Sequence, residues 1–131
     1  MTPPRCRVLC VDDHDDTCFM LRTLLGTSGY EVETADGVNE ALRLARAGRF
    51  DLYVIDNRYP DGTGADLCRR LRETSPDTHV VIYSGAAYGS DRDEGLDAGA
   101  TRYVVKPAID ELLKTIKEVI AAEPCAAANA A

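Results

Sequence analysis

No stretch of this 131-residue chain approaches the ~20 consecutive apolar residues that a membrane-spanning helix needs. The opening residues, Met1 to Arg7, hold no apolar core of the kind a secretion signal carries, so export is not expected. No basic run is longer than Arg69-Arg70. Lys and Arg total 15 against 22 Asp and Glu, a formal net charge of -7. That balance argues against a nucleic-acid binder held by counterion release. The cysteines (Cys6, Cys10, Cys18, Cys68 and Cys125) are odd in number and include no C-x-x-C pair. Cys10, His14 and Cys18 are evenly spaced, but they straddle a predicted strand and a predicted helix, and structural zinc sites use other spacings. Buried thiols in a reducing, cytoplasmic compartment are the simpler reading.

What is present suits one domain with a real core. Hydrophobic residues make up 45% and charged residues 28%, an ordinary globular balance. The apolar period alternates between strand and helix. Arg7 to Val11 reads as a buried strand. Asp15 to Thr27 puts Cys18, Leu21, Leu24 and Leu25 on one helical face, with Gly26 and Gly29 at its end. Glu31 to Ala35 alternates and carries two acids, as an edge strand does. Val38, Ala41, Leu42 and Ala45 form the next helical stripe. Asp51 to Ile55 is a third strand, followed by a Pro60-Asp61-Gly62 turn. Thr63 with Asp66 reads as a capping box opening a helix through Arg72. His79 to Tyr83 is a fourth strand. Ser90 with Asp93 reads as a second capping box, but Gly89 and Gly95 weaken the helix it opens, which is expected to be short or mobile. Thr101 to Val105 is the fifth strand. Ile109, Leu112, Leu113, Ile116, Val119 and Ile120 make the strongest helical stripe. Residues 5–122 are the expected domain, and 123–131, mostly alanine with Pro124, a tail or cut linker. Strands alternating with helices imply a doubly wound parallel sheet, an α/β fold.

The polar residues fall at the strand ends. Asp12 and Asp13 follow the first strand, Asp56 the third, Ser84 the fourth and Lys106 the fifth. Open parallel sheets bind ligands outside the carboxyl ends of their strands, so these groups should converge in one cleft. Three close carboxylates repel and need a cation. Mg²⁺ suits carboxylates, a backbone carbonyl and waters. An aspartate can act as a nucleophile toward phosphorus, giving an aspartyl phosphate. Charge spread over the phosphoryl oxygens would then be met by the Lys106 ammonium and the Ser84 hydroxyl.

Four segments together resemble the receiver domain of two-component response regulators. They are Val8-Leu9-Cys10-Val11-Asp12-Asp13, then Asp51-Leu52-Tyr53-Val54-Ile55-Asp56 with Pro60 four residues on, Val80-Val81-Ile82-Tyr83-Ser84-Gly85, and Gly99-Ala100-Thr101-Arg102-Tyr103-Val104-Val105-Lys106-Pro107. The resemblance covers residues 5 to 122. It implies a flavodoxin-like (βα)5 fold of strand order 2-1-3-4-5, the order of flavodoxin and chemotaxis regulators. It implies that Asp56 is the phosphoacceptor, that Asp13, Asp56 and the Arg58 carbonyl bind Mg²⁺, and that Asp12 does so mainly through water. Ser84 and Lys106 would contact the phosphoryl group. Tyr103 would be an aromatic switch, turning inward when Ser84 moves to the phosphate. The Lys106-Pro107 bond is expected to be cis. The phosphodonor would be a histidine kinase or histidine phosphotransfer protein. A downstream protein would read the face formed by the fourth helix, fifth strand and fifth helix, and there is room for a homodimer. The chain would not be an enzyme beyond catalysing its own phosphorylation and dephosphorylation. Ala86 would leave one side of the cleft open, and Arg58 would place a cation beside it.

Singly, each residue has a plainer role. Asp12 and Asp13 could cap a helix, Asp56 could start a turn, and Tyr103 could be a half-buried strand aromatic. Their joint placement favours the receiver. A flavodoxin is disfavoured because Asp12-Asp13-His14-Asp15-Asp16 would repel a phosphate. A haloacid-dehalogenase-type phosphatase would carry Asp where Arg58 stands. The remaining rival is a pseudo-receiver that binds proteins without being phosphorylated. It typically loses one of the five polar residues, and all five are present here.

Overall fold

The computed structural model describes residues 6–85 and 89–122. In chain order they form β1 (Arg7–Val11), α1 (Asp15–Thr27), β2 (Glu31–Ala35), α2 (Val38–Ala47), β3 (Leu52–Ile55), β4 (Arg58–Tyr59), β5 (Gly62–Thr63), α3 (Gly64–Thr74), β6 (His79–Ser84), α4 (Gly89–Asp97), β7 (Arg102–Val105) and α5 (Ile109–Ala122). Five strands make one parallel sheet in the order β2-β1-β3-β6-β7. This is the expected 2-1-3-4-5 arrangement, with the two-residue β4 and β5 standing apart.

Alternation along the strands creates two cores. In β1, Val8 and Cys10 join a cluster with Leu21 and Leu25 of α1 and Leu112 and Ile116 of α5. Leu9 and Val11 join the opposite cluster, with Val38 and Leu42 of α2 and Leu67 and Leu71 of α3. A sheet covered on both faces needs near-continuous apolar strands, which is why β3 reads Leu-Tyr-Val-Ile with all four residues buried. Each fully buried leucine contributes about 1.5–3 kcal/mol. The acid-bearing β2 lies at the sheet edge, as expected.

Some local expectations are revised. Gly26 lies inside α1, and Gly29 (φ 96°) follows its end. The Pro60-Asp61-Gly62 turn is the tip of a small antiparallel hairpin, with Arg58 opposite Thr63 and Tyr59 opposite Gly62. Thr63 does cap α3, its Oγ1 accepting from the Asp66 amide at 3.1 Å, but the Asp66 carboxylate pairs with Arg70 at 3.6 Å. The α4 helix begins at Gly89, so Ser90 sits within it and does not precede it; at nine residues it is the shortest of the described helices. Cys10, Cys18 and Cys68 are free thiols, whereas Cys6 is disulfide-bonded, so the all-thiol reading fails there. The Lys106-Pro107 peptide is cis. Ala86 and the 123–131 tail lie outside the described residues. Among the described residues no helix is long and apolar enough to cross a membrane.

Candidate functional site

The parallel sheet gathers the strand-end residues at one edge. Lys106, just past β7, reaches back across the sheet and donates from Nζ to Asp12 Oδ2 at 2.8 Å and Asp56 Oδ2 at 3.2 Å. Asp12 is 4% exposed and Asp56 8%, so two carboxylates are held out of water around one ammonium. Burial opposes the charge on Lys106. The Asp12 hydrogen bond and the charges of Asp56 and Asp12 outweigh it and raise its pKa above the ordinary lysine value. Asp13 and His14 continue the loop into α1. The His14 amide donates to Asp12 Oδ1 at 2.9 Å, and its ring Nδ1 lies 3.0 Å from the same oxygen and 3.3 Å from Asp13 Oδ1. One ligand atom from each of Asp12, Asp13, His14 and Asp56 falls within 4.8 Å of the others. Against three carboxylates, Lys106 supplies one positive charge. That donor set and its residual negative charge fit a divalent cation.

The backbone around Asp56 is held from several sides. Gly64 opens α3 directly against it; a Cβ there would stand 2.1 Å from the Asp56 carbonyl oxygen, so only glycine permits this approach. The Gly64 amide donates to Asn57 O at 2.8 Å, and the Asn57 amide to Asp56 Oδ1 at 2.6 Å. Tyr59 is the residue that sequence reasoning missed. Its buried hydroxyl accepts from the Asp56 amide at 2.6 Å and donates to Val11 O at 2.8 Å, bridging β1 and β3 where the cleft begins. Burial pushes that phenol well above its ordinary pKa, so it stays protonated as a donor. The available signal was slight, a lone tyrosine among polar and turn residues three positions after Asp56; once buried, its phenol needs a partner. Asp61, at the hairpin tip, accepts from the amides of Val38 and Asn39 at 2.9 and 3.0 Å, tying the loop to the first turn of α2. The Asn39 and Val38 amides hold its carboxyl below the usual range.

Residues 8–117 match the family model of the response regulator receiver domain. The chain belongs to that family. It is 38% identical over 115 residues to Response regulator MprA of Mycobacterium leprae, covering 87% of this chain and 50% of that protein. The chain thus spans about half the length of the curated relatives it matches. Among solved structures it is similar to the chemotaxis protein CheY4 of Vibrio cholerae, with a TM-score of 0.83 and 34% identity over 88% of this chain and 99% of that one. It is also similar to TrrA of Thermotoga maritima, solved in complex with Mg²⁺ and BeF, with a TM-score of 0.78 and 30% identity over 87% and 98%.

Ser84 ends β6, beside β3 in the sheet, and is 2% exposed. Its carbonyl accepts from the Lys106 amide at 2.8 Å. Tyr103, on β7 opposite Ile82, is 8% exposed and already faces the core. Burial raises its pKa, and a hydrogen bond with Ser84 acts the other way. Gly95 lets α4 lie close over this pair: a Cβ there would stand 2.5 Å from Ile82 Cδ1 and 3.5 Å from Tyr103 Cδ2. The glycine that weakens α4 as a helix is what seats it on Tyr103. Arg58 sits two residues past Asp56 on β4 with its side chain exposed. Of the evenly spaced Cys10, His14 and Cys18, only His14 joins the acidic cluster; Cys10 is in the core and the Cys18 thiol contacts Asp12 O at 3.3 Å.

Proposed function

We propose that Asp56 accepts a phosphoryl group from a phosphohistidine and that Lys106, Ser84 and the neighbouring aspartates make the transfer and its reversal possible. The Lys106 ammonium shared between buried Asp12 and Asp56 carries this reading. Membership of the response regulator family implies phosphorelay signalling with a histidine kinase as partner. Receiver domains are not enzymes in the ordinary sense; this one catalyses its own phosphorylation and dephosphorylation.

An Asp56 carboxylate oxygen attacks phosphorus, the phosphorus–nitrogen bond of the phosphohistidine breaks, and the imidazole leaves. Hydrolysis reverses the state: water attacks phosphorus, the acyl oxygen leaves, and inorganic phosphate and the Asp56 carboxylate are regenerated. Lys106 turns from Asp56 to a phosphoryl oxygen, and the Ser84 hydroxyl donates to another. A Mg²⁺ ion held by Asp13, Asp56 and the Arg58 carbonyl, with Asp12 acting through water, supplies counter-charge when bound. The Mg²⁺ and BeF complex of TrrA supports this assignment by similarity. When Ser84 engages the phosphoryl group, Tyr103, which already lies inward, loses its hydrogen bond to Ser84, and the α4–β7–α5 face changes for a downstream protein to read. Residues 5–122 act as the functional unit.

Incubation with Mg²⁺ and acetyl phosphate, followed by intact-mass measurement, tests this. A gain of about 80 Da, one phosphoryl group, is expected, and its absence in Asp56→Asn. No gain, and none with a cognate kinase, would favour the pseudo-receiver.

A further inference from the structure

We infer that His14 is a fourth side-chain ligand of the cation site and tunes it toward borderline dications such as Mn²⁺, Co²⁺ and Zn²⁺ at the expense of Mg²⁺. The inference rests on the proposed divalent-cation role of the Asp12–Asp13–Asp56 cleft and adds to it a residue outside the expected set.

The placement of the ring carries the inference. His14 occupies the N-cap position of α1, yet its side chain makes no capping hydrogen bond. The imidazole turns to the carboxylates: Nδ1 is 3.0 Å from Asp12 Oδ1 and 3.3 Å from Asp13 Oδ1. Adjacent ligands of one octahedral ion, each about 2.1 Å from it, stand about 3.0 Å apart. Nδ1 and Asp13 Oδ1 already have nearly that separation, and Nδ1 gives up its hydrogen bond to Asp12 Oδ1 when it takes the ion. Asp12 divides its two oxygens, with Oδ2 on Lys106 and Oδ1 on the His14 side. The side of the cleft that Lys106 leaves uncompensated is therefore the side His14 lines.

Chemistry assigns the preference. Mg²⁺ is hard, favours oxygen and keeps its waters. A neutral imidazole nitrogen gives little to such an ion but binds borderline first-row dications well, in the order Mn²⁺ < Co²⁺ and with Zn²⁺ strong. Replacing one water by Nδ1 favours those ions selectively.

Titration calorimetry of the tag-free chain with Mn²⁺ alone and with Mg²⁺ alone is compared with His14→Ala and His14→Gln. Both variants keep the backbone amide that bonds Asp12. The Mn²⁺-over-Mg²⁺ affinity ratio is expected to fall about tenfold in both, the scale of losing one metal-binding contact. Electron spin-echo envelope modulation of the Mn²⁺-loaded chain should show imidazole nitrogen coupling that disappears in both variants. The signal has one plausible source, because the other histidine, His79, starts β6 opposite Leu52, at the far end of the strands. An unchanged ratio, or no nitrogen coupling in the unaltered chain, overturns the inference. If Mg²⁺ still supports phosphorylation of Asp56 in that case, only the His14 role has failed. If neither ion binds, both readings fall.

Discussion

Tyr59→Phe removes one oxygen atom and leaves the packing volume almost untouched. The hydroxyl makes two buried hydrogen bonds, to the Asp56 amide at 2.6 Å and Val11 O at 2.8 Å. Each such bond contributes a net ~1 kcal/mol, and an orphaned buried partner costs about 1–3 kcal/mol. The full loss is not expected, because the Asp56 amide and Val11 O also face each other directly at 3.3 Å and can pair when the hydroxyl is gone. The variant should therefore lose about 1.5 kcal/mol, read as a shift in urea midpoint at constant slope. Tyr53→Phe is the internal control. Its hydroxyl meets Ser75 Oγ at a long 3.3 Å, and its loss should stay below ~0.5 kcal/mol. Phosphorylation of Asp56 by acetyl phosphate should also slow in Tyr59→Phe, since the nucleophile's backbone is less firmly held. A stability loss in Tyr59→Phe no larger than in Tyr53→Phe would refute the bridging role.

Three further outcomes are expected. Gly64→Ala sets a methyl group 2.1 Å from the Asp56 carbonyl oxygen, a backbone atom that cannot swing away, so a loss above ~3 kcal/mol or failure to fold is expected in denaturation curves. Asp61 has a lowered folded-state pKa, so its stabilisation is complete above the ordinary value of 3.8 and is lost as pH falls through the lowered one; Asp61→Asn should be less stable at neutral pH, with the gap to the unaltered chain closing in acid unfolding curves below 3.8. Lys106→Met leaves Asp12 and Asp56 facing each other without a cation, and thermal unfolding in chelator should show a loss of about 1–2 kcal/mol, less than for a fully buried pair because 21% of the Lys106 side chain is exposed; added Mg²⁺ should narrow that loss.

Much of this receiver domain was legible along the chain. The alternation of strand and helix periods set the α/β class, and the buried stripe Val38, Ala41, Leu42 and Ala45 is the one the periodicity named. The strand-end residues Asp12, Asp56, Ser84 and Lys106 were also visible, because a parallel sheet must bring its carboxyl ends together. Periodicity does not reach β4 and β5, since two residues have no period. The seating of α4 on the sheet depends on Gly95 meeting Ile82 and Tyr103, contacts made through space.

Residue order alone determined that Asp12, Asp13, Asp56, Ser84 and Lys106 would stand at the strand ends, because that follows from where each apolar run stops. Tertiary structure decided what holds them there. Tyr59 finds Val11 48 residues away, Asp61 finds Val38 23 residues away, and Lys106 finds Asp12 94 residues away. His14 could cap its helix or join the aspartates, and its neighbours in sequence allow either choice. Only the folded loop, with Asp12 and Asp13 turned toward the imidazole, selects the second. A hydrogen bond has a direction and a reach of about 3 Å, and those are properties of positions in space.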